Sequence, residues 1–391
     1  MLLIRVGLAV IMIAIATCRE PFGSGGSPTQ TQVSSYYPTY IYPTRDNALL
    51  ISGFRYFYGG DNDASTLGFI LKVDGSGNLI WVEDNLDSIS NSIVKELMDG
   101  SVVMVSRDYK GYNIVALMLD NGGNKIWRKT YDIGATHSPF DFEESADGTL
   151  LIVGAYSVLQ DDDDGWGPTG KINSNPPIAV YNVSDIWGGG SYYTYAMVLK
   201  TDRSGNYIQH RNFDYSGFSS IVRTSDGNFI ISGSATLKID PNINTIWTKS
   251  YNGIVRGNGN GEYVIATISG NMIYFYKINE SGDSVSQFAY STGCSGNVYG
   301  SFSPFVVDSI YYVLTYVCNA GGNNVPYFVK VDESGNDIWK VKGPRISGTA
   351  SYIAKTSGGN YMAVMDDNGL HLIKLDVGGN IIWEKKIEKI E

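Results

Sequence analysis

From residue 35 onward the apolar positions come in short alternating runs that end in Gly, Asn or Asp. Gly68-Phe-Ile-Leu-Lys-Val-Asp74 and Tyr327-Phe-Val-Lys-Val-Asp332 show the form: β-branched and aromatic residues, then a turn signal. After residue 20 no stretch keeps apolar residues at i, i+3, i+4 and i+7 for three turns, so the pattern predicts strands and no long helix. The fold class expected is all-β.

The runs repeat. A strand ending Lys-x-Asp, a Gly/Asn turn and a strand carrying Trp appears as Lys72-Val-Asp74-Gly-Ser-Gly77-Asn78-Leu-Ile-Trp81. It returns before Trp127, Trp339 and Trp383, and without the glycine before Trp247. Two further copies keep the turn and lose the Trp, leading instead to Gln209 and Ser286. In such a turn the Asp side chain accepts backbone N–H groups two residues on, while Gly and Asn tolerate positive φ. A second hairpin precedes each copy: Thr224-Ser-Asp226-Gly227-Asn-Phe-Ile-Ile-Ser-Gly233 aligns without gaps on Thr44-Arg-Asp46-Asn47-Ala-Leu-Leu-Ile-Ser-Gly53. Two hairpins per repeat make four strands, which is one propeller blade.

Between positions 81, 127, 209, 247, 286, 339 and 383 the steps are 46, 82, 38, 39, 53 and 44 residues. A four-stranded blade needs about 40, so only the step of 82 is abnormal. It marks an insertion in the third repeat, residues 157–195. The expected architecture is a seven-bladed β-propeller of four-stranded antiparallel blades at 35–86, 87–133, 134–214, 215–252, 253–291, 292–343 and 344–391. Closing the ring removes sheet edges that would otherwise pair with other chains.

The repeats resemble those of secreted quinoprotein-like (PQQ-like) propellers, whose blades carry Asp, Gly and Trp in such a hairpin. The resemblance covers nearly all of 35–391 and implies that Trp81, Trp127, Trp247, Trp339 and Trp383 pack between neighbouring blades, each turn stitching one blade to the next. Here Asp to Gly spans three positions, one fewer than in that motif. Quinone dehydrogenases of this group resemble one another in eight blades, a vicinal disulfide and a bound calcium ion. This chain has seven repeats and no adjacent cysteines.

The first 18 residues read as a targeting segment: Arg5, then an apolar stretch from Val6 to Ala16 that is too short to span a bilayer. Ile15-Ala16-Thr17-Cys18 resembles the lipobox of prokaryotic lipoproteins, which implies that Cys18 is lipidated and anchors the chain. Thr17 departs from that pattern, and an ordinary secretory signal remains the alternative. Residues 19–34, rich in Gly, Ser, Pro and Gln, read as a flexible tether. An exported chain sits in an oxidising compartment, where the sole intramolecular pairing left is Cys294 with Cys318; two free thiols are the alternative.

Charge narrows the partners. With 29 Lys+Arg against 39 Asp+Glu and no basic cluster, nucleic acid is not expected as a partner, nor is a membrane beyond the lipid anchor. The three His residues lie at no metal-ligand spacing. His137 falls in an inter-blade loop, His210 after a degenerate turn and His371 inside a strand. No catalytic set is identified and no cofactor is expected. The insertion is the unusual segment. It holds Asp161 to Asp164, of which Asp161 and Asp163 are candidate Ca²⁺ ligands, although the run lacks the alternating spacing and distal Glu of a helix–loop–helix calcium site and a solvated acidic loop accounts for it better. Trp166, Trp187, Tyr192 and Tyr193 form either a binding platform or the insertion's own apolar anchor. The function expected is a cell-surface or periplasmic scaffold for protein or glycan. A carbohydrate-active hydrolase or lyase with carboxylates in the central channel, and a structural surface-layer component, are the alternatives.

Overall fold

A computed structural model describes residues 32–58, 64–87, 89–108, 113–133, 136–159, 180–182, 191–299 and 305–387. Every described element is a strand, and the strands form seven antiparallel sheets. Blade one is β1 (Gln32–Pro43), β2 (Leu49–Tyr58), β3 (Ala64–Val73) and β4 (Leu79–Asp87); blade two is β5 (Ile89–Glu96), β6 (Val102–Asp108), β7 (Ile114–Leu119) and β8 (Lys125–Tyr131). Blade three is β9 (Thr136–Glu144), β10 (Leu150–Leu159), the short β11 (Val180–Asn182), β12 (Ser191–Thr201) and β13 (Tyr207–Phe213). Blade four is β14 (Phe218–Arg223), β15 (Phe229–Gly233), β16 (Thr236–Ile239) and β17 (Thr245–Lys249); blade five is β18 (Ile254–Gly257), β19 (Glu262–Ser269), β20 (Met272–Asn279) and β21 (Ser284–Ser291). Blade six splits its first strand into β22 (Asn297–Tyr299) and β23 (Val306–Asp308), followed by β24 (Tyr311–Ala320), β25 (Asn323–Val331) and β26 (Asp337–Lys342). Blade seven is β27 (Ser351–Lys355), β28 (Tyr361–Asp366), β29 (Leu370–Leu375) and β30 (Ile381–Ile387).

Each blade is consecutive in the chain, so no strand is swapped to close the ring. First strands pack on one another around the axis, and the circle closes where β1 meets β27. Central strands are buried on both faces in blades such as the second and seventh, where all six residues of β7 and all six of β28 are buried, whereas β20 of blade five alternates. That explains the near-continuous apolar runs of β7 and β28, because a two-sided contact leaves no polar face to alternate with. The cores lie mainly between blades. Phe69 and Leu71 of blade one, for example, pack in one cluster with Met362 and Leu372 of blade seven.

The Asp turn repeats one geometry, here taken from blade one. Gly77 N donates to Asp74 O (2.9 Å) and Asp74 N to Asn78 O (2.8 Å), making a three-residue loop whose last member, Gly77, has φ +75°. The Asp74 carboxylate takes Asn78 N (2.8 Å) and the Asn78 amide (2.9 Å). The same box recurs at Asp120, Asp202, Asp240, Asp332 and Asp376. In blade five the roles invert, with Asn279 Oδ1 accepting from Asp283 N (2.9 Å).

The turn of each blade meets the fourth strand of the blade before it. Trp81 Nε1 donates to Asn121 O (3.0 Å), Trp127 to Arg203 O (3.2 Å), Trp247 to Glu280 O (3.0 Å) and Trp339 to Val377 O (3.1 Å). The acceptor is always the carbonyl one residue past the first residue of the box. The indole also covers the turn glycine: a Cβ on Gly123 would come 2.8 Å from the Trp81 ring, and one on Gly77 2.6 Å from Trp383. Glycine is thus required twice, by its φ and by the ring lying on it. Opposite each Trp on the neighbouring strand, except for Met118 opposite Trp127, stands the Lys of Lys-x-Asp. Lys72 is 2% exposed and donates to Asp46 Oδ2 (2.7 Å) in its own blade and to Asn121 Oδ1 (2.6 Å) in the next. Lys374 Nζ donates to Gly75 O and so helps bind blade seven to blade one.

Blade three lacks the Trp and shows the compensation. Gln209 Nε2 donates to Asn242 O (3.1 Å), and Lys200 Nζ to Pro241 O (2.8 Å). In the turn it meets, the glycine has become Ile243, at φ +63° and 1% exposed. An isoleucine in left-handed backbone costs roughly 1–2 kcal/mol. Burying its side chain returns about 1.5–3 kcal/mol, because it fills the space that an indole fills at the other turns. Loss of the Trp and loss of the glycine are one change made on two blades.

The structure differs from the sequence reading in three local respects. The tether was expected to run to residue 34, but β1 starts at Gln32, because β2 extends far enough to place Tyr58 opposite it. Ser157–Leu159 and Ser191–Tyr195 belong to the strands β10 and β12, so both ends of the 157–195 insertion continue the blade's own hairpin. His137 is not in a loop: it lies in β9 opposite Tyr156, 1% exposed. Its Ser-Pro context signals a connection, but β10 is long enough to pair with it.

The coupled change at blades three and four can be measured. Gln209→Trp alone should overpack against Ile243, lowering stability by about 1–3 kcal/mol. Ile243→Gly alone should open a cavity and lower it by about 2–5 kcal/mol. The two together should recover at least about 1 kcal/mol relative to the sum in a double-mutant cycle read by denaturant unfolding. Strict additivity would mean that the two positions do not share one volume.

Candidate functional site

The Asp turns and the first hairpin turns lie at one end of every blade, called here the lower face. The other ends of the second and third strands, including Leu159 and Ser191 that flank the insertion, lie on the upper face. Blade three departs from the repeat at this upper end. β10 and β12 stay in register from Leu150 opposite Thr201 to Leu159 opposite Tyr192, and β11 adds a further strand along Ser191–Tyr193. At the base of this hairpin three rings stand on consecutive strands. His137 stacks on Tyr156 (ring centroids 6.0 Å) and Tyr156 on Tyr195 (5.2 Å). Burial, then the neighbouring Tyr195, pushes the Tyr156 hydroxyl up to about 12, so that hydroxyl stays protonated. Ser157 and Thr194 hydroxyls bond above it (3.0 Å).

Of the residues expected to form a site, the backbone of Tyr192 and Tyr193 lies in strand β12, not in a loop. Trp166, Trp187, Asp161 and Asp163, like Cys18, lie outside the described residues. Among the described residues no group of three or more His, Cys, Asp or Glu side chains is arranged to hold a metal ion.

One surface residue was not picked out from sequence. In β9 the register slips between Val153–Asp141 and Gly154–Pro139, leaving Phe140 as the extra residue of a bulge. Gly154 permits the slip, since a Cβ there would lie 2.2 Å from Ser138 O. Blades one and four bulge at the equivalent place, next to Gly53 and Gly233, with Thr39 and Ser219 as the extra residues. In blade three that position carries a phenylalanine, 40% exposed on a first strand. The only sequence signal is the alternation Phe140-Asp141-Phe142-Glu143, of which Phe142 is fully buried.

Below it, the axis holds charge. Lys95 Nζ of β5 contacts Asp141 Oδ1 (2.7 Å) and Glu143 Oε2 (3.3 Å) of β9 and donates to Phe142 O (2.5 Å). Burial works against the ammonium, yet Asp141 and Glu143 raise its pKa overall. Arg256 of β18 comes within 3.6 Å of Asp141 Oδ2 from two blades away, and Ile221 N donates to the same oxygen (3.2 Å). A contact spanning two blades means that side chains fill this side of the axis. Burial inside the ring raises the Glu143 carboxyl despite the Lys95 pair, although 31% of its side chain stays accessible.

A second polar cluster sits on the upper turn of blade seven. His371 Nε2 lies 2.6 Å from Glu384 Oε1, and its Nδ1 3.7 Å from Asp367 Oδ2, which Lys386 also approaches (3.4 Å). Asp366 beside them is buried, and its Oδ1 has no hydrogen-bond partner. Burial, then the Asp367 charge, raises its pKa to about 6.

No family profile matches the sequence, and neither does any curated protein. Solved structures resemble it in shape at low identity. A protein of unknown function from Bacteroides caccae is 14% identical, covering 70% of this chain and 90% of its own, with a TM-score of 0.42. The Dos1 propeller is 12% identical, covering 89% and 80%, with a TM-score of 0.44. A prolyl endopeptidase structure is 13% identical over 91% of this chain and 50% of its own, with a TM-score of 0.48. Likenesses this distant carry no activity to this chain.

Two substitutions test these clusters. Lys95→Met leaves Asp141 buried with one cation fewer and should lower stability by about 3–5 kcal/mol, measured by denaturant unfolding; a loss below about 1 kcal/mol would mean that Arg256 suffices. Asp366 has a folded-state pKa above its unfolded value, so its contribution is fully present below about pH 3.8 and is lost as pH rises through about 6. Asp366→Asn should therefore gain stability relative to the parent as pH rises from 4 to 7.5, by on the order of 1–2 kcal/mol. A constant difference across that range would place the unpaired carboxyl in solvent.

Proposed function

We propose that the protein is a non-catalytic, exported binding or assembly scaffold at the cell envelope, taking a protein or glycan partner through the upper face of blade three. The observation that carries the reading is internal. Blade three carries the insertion between its second and third strands, lays β11 along Ser191–Tyr193, and at the bulge that blades one and four fill with Thr39 and Ser219 presents the exposed Phe140. Loops and rim residues on a rigid scaffold are where binding groups concentrate, and an exposed aromatic suits a sugar face or an apolar anchor of a partner protein. Trp166, Trp187, Tyr192 and Tyr193 belong to the same proposed surface, with Asp161 and Asp163 as candidate ligands for Ca²⁺. Asp141 and Glu143 on the axis are engaged by Lys95 and Arg256, which suits a plug better than a reacting pair. Export through the first 18 residues, lipidation at Cys18 and kinship with the quinoprotein-like group are parts of the same proposal.

The test is a glycan array and a crosslinking pull-down from envelope extract with residues 32–391, the Phe140→Ala variant and a variant in which residues 160–190 are replaced by a short Gly/Ser link. A partner retained by the parent should bind at least about tenfold more weakly to both variants, while melting temperatures shift by no more than a few degrees. Undiminished binding by both would remove blade three from the reading.

A further inference from the structure

Comparing the seven blade junctions singles out one. Five are covered by a Trp, and the third by the Gln209–Ile243 exchange. Between blades five and six the fourth-strand position is Ser286, which makes no side-chain hydrogen bond to the next turn among the described residues. Phe288, two residues on, supplies apolar filling by stacking on Phe275 (4.6 Å) and meeting Tyr312 at a tilt (5.1 Å). Gly335 of the blade-six turn rests on the strand backbone itself, where a Cβ would lie 2.4 Å from Ala289 O. Beyond Lys277 to Glu333 (3.0 Å), an exposed pair, the polar stitch has moved to the upper side of the junction.

It is built around Thr292 to Cys294, the start of the link from β21 to β22. Thr292 N and Oγ1 both donate to Asn271 O (3.0 Å each), and Asn271 Nδ2 donates to Cys294 O (2.8 Å), tying the link to blade five. From blade six, Tyr316 OH and Lys340 Nζ both donate to Thr292 O (2.8 Å each). The Lys340 ammonium stands over the rings of Tyr290, Tyr316 and Tyr327 at 5.7, 5.7 and 5.3 Å. The disulfide from Cys294 to Cys318 of β24 makes the same connection covalently. The single disulfide of the described residues thus lies at the junction that has neither an indole nor an amide donor.

We propose that this junction is the ring's redox-controlled seam: with Cys294–Cys318 intact it is closed like the others, and on reduction it opens first. A dithiol reductant carries the step. One thiolate attacks a cysteine sulfur to form a mixed disulfide, the second thiol displaces the remaining cysteine, and the reductant leaves as a cyclic disulfide with two protein thiols formed. On the upper side blade six then keeps Lys340 and Tyr316 on Thr292, while the other six junctions are untouched.

Amide hydrogen exchange by mass spectrometry on the full chain reads this out, with and without dithiothreitol and with a Cys294→Ser/Cys318→Ser variant that does not depend on reagent access. Exchange in 284–299 and 311–320 should quicken at least tenfold in the reduced protein and in the variant, with less than twofold change in blades one, two and seven. Adding Lys340→Met to the variant should quicken the same segment further. Equal acceleration in every blade, or no change in the variant, would overturn the proposal; should the variant fail to fold, the reduced parent decides.

Discussion

One contact organises the ring: in five of the seven blades a donor on the outer strand meets a carbonyl of the turn in the next. A four-stranded blade has two apolar faces and no core of its own, so it is stable only when both are covered. The wedge between blades widens outward, and there the first strands no longer hold it closed. A Trp fills the wedge, and its N–H finds a carbonyl that the three-residue loop leaves unpaired. The Asp–Asn box keeps that carbonyl in place by using the loop's own N–H groups. The glycine leaves room for the ring, and the buried lysine behind it bonds to both turns. Each residue of the repeated motif is thus accounted for by a geometry that involves two blades.

The exceptions follow the same logic. Where blade three has Gln209, the facing glycine becomes Ile243, because the pocket must be filled from one side or the other. The strain of a branched residue at positive φ is tolerable only because of that burial. Where blade five has Ser286, Phe288 fills from within the strand, and the polar stitch moves to the Thr292–Cys294 link. Two losses of the same side chain are answered by different means. The apolar volume must be restored close to where it was lost, whereas a hydrogen bond can be replaced anywhere along the junction.

Much of this could be read from the chain. The fold class, the seven blades and the two hairpins in each are visible because turn chemistry is local: Asp, Gly and Asn at fixed spacing carry their geometry with them. The blunt features were less visible. The bulge at Phe140 depends on Gly154 across the sheet, and nothing near Phe140 in sequence marks it as exposed. His137 and the Ser191–Tyr195 stretch take strand structure from the length of their partner, not from their own propensity. The exchange of Gln209 for Trp reads as simple degeneration until Ile243 is seen opposite it. The ion pairs on the axis join residues from three blades, and such contacts leave no mark on spacing.

The ring's polarity decides where a partner can sit. The lower face carries the box carboxylates, held ionised at Asp120 and Asp376 because the Asn amide and then backbone N–H groups keep the carboxyl below the usual range. Those carboxylates are already committed to the loops they stabilise, so a partner binding there would have to compete with the stitching itself. The axis is occupied by Lys95, Asp141 and Arg256, and withdrawing any one of them leaves a charge there with one partner fewer. Outside the junction of blades five and six, the upper-face loops are free of that duty, since the contacts of the repeated motif run through turns at the other end of the blade. Insertions and exposed aromatics can accumulate there without loosening a junction. Blade three has done so while its lower end remains tied to blade four through Lys200, Gln209 and Ile243.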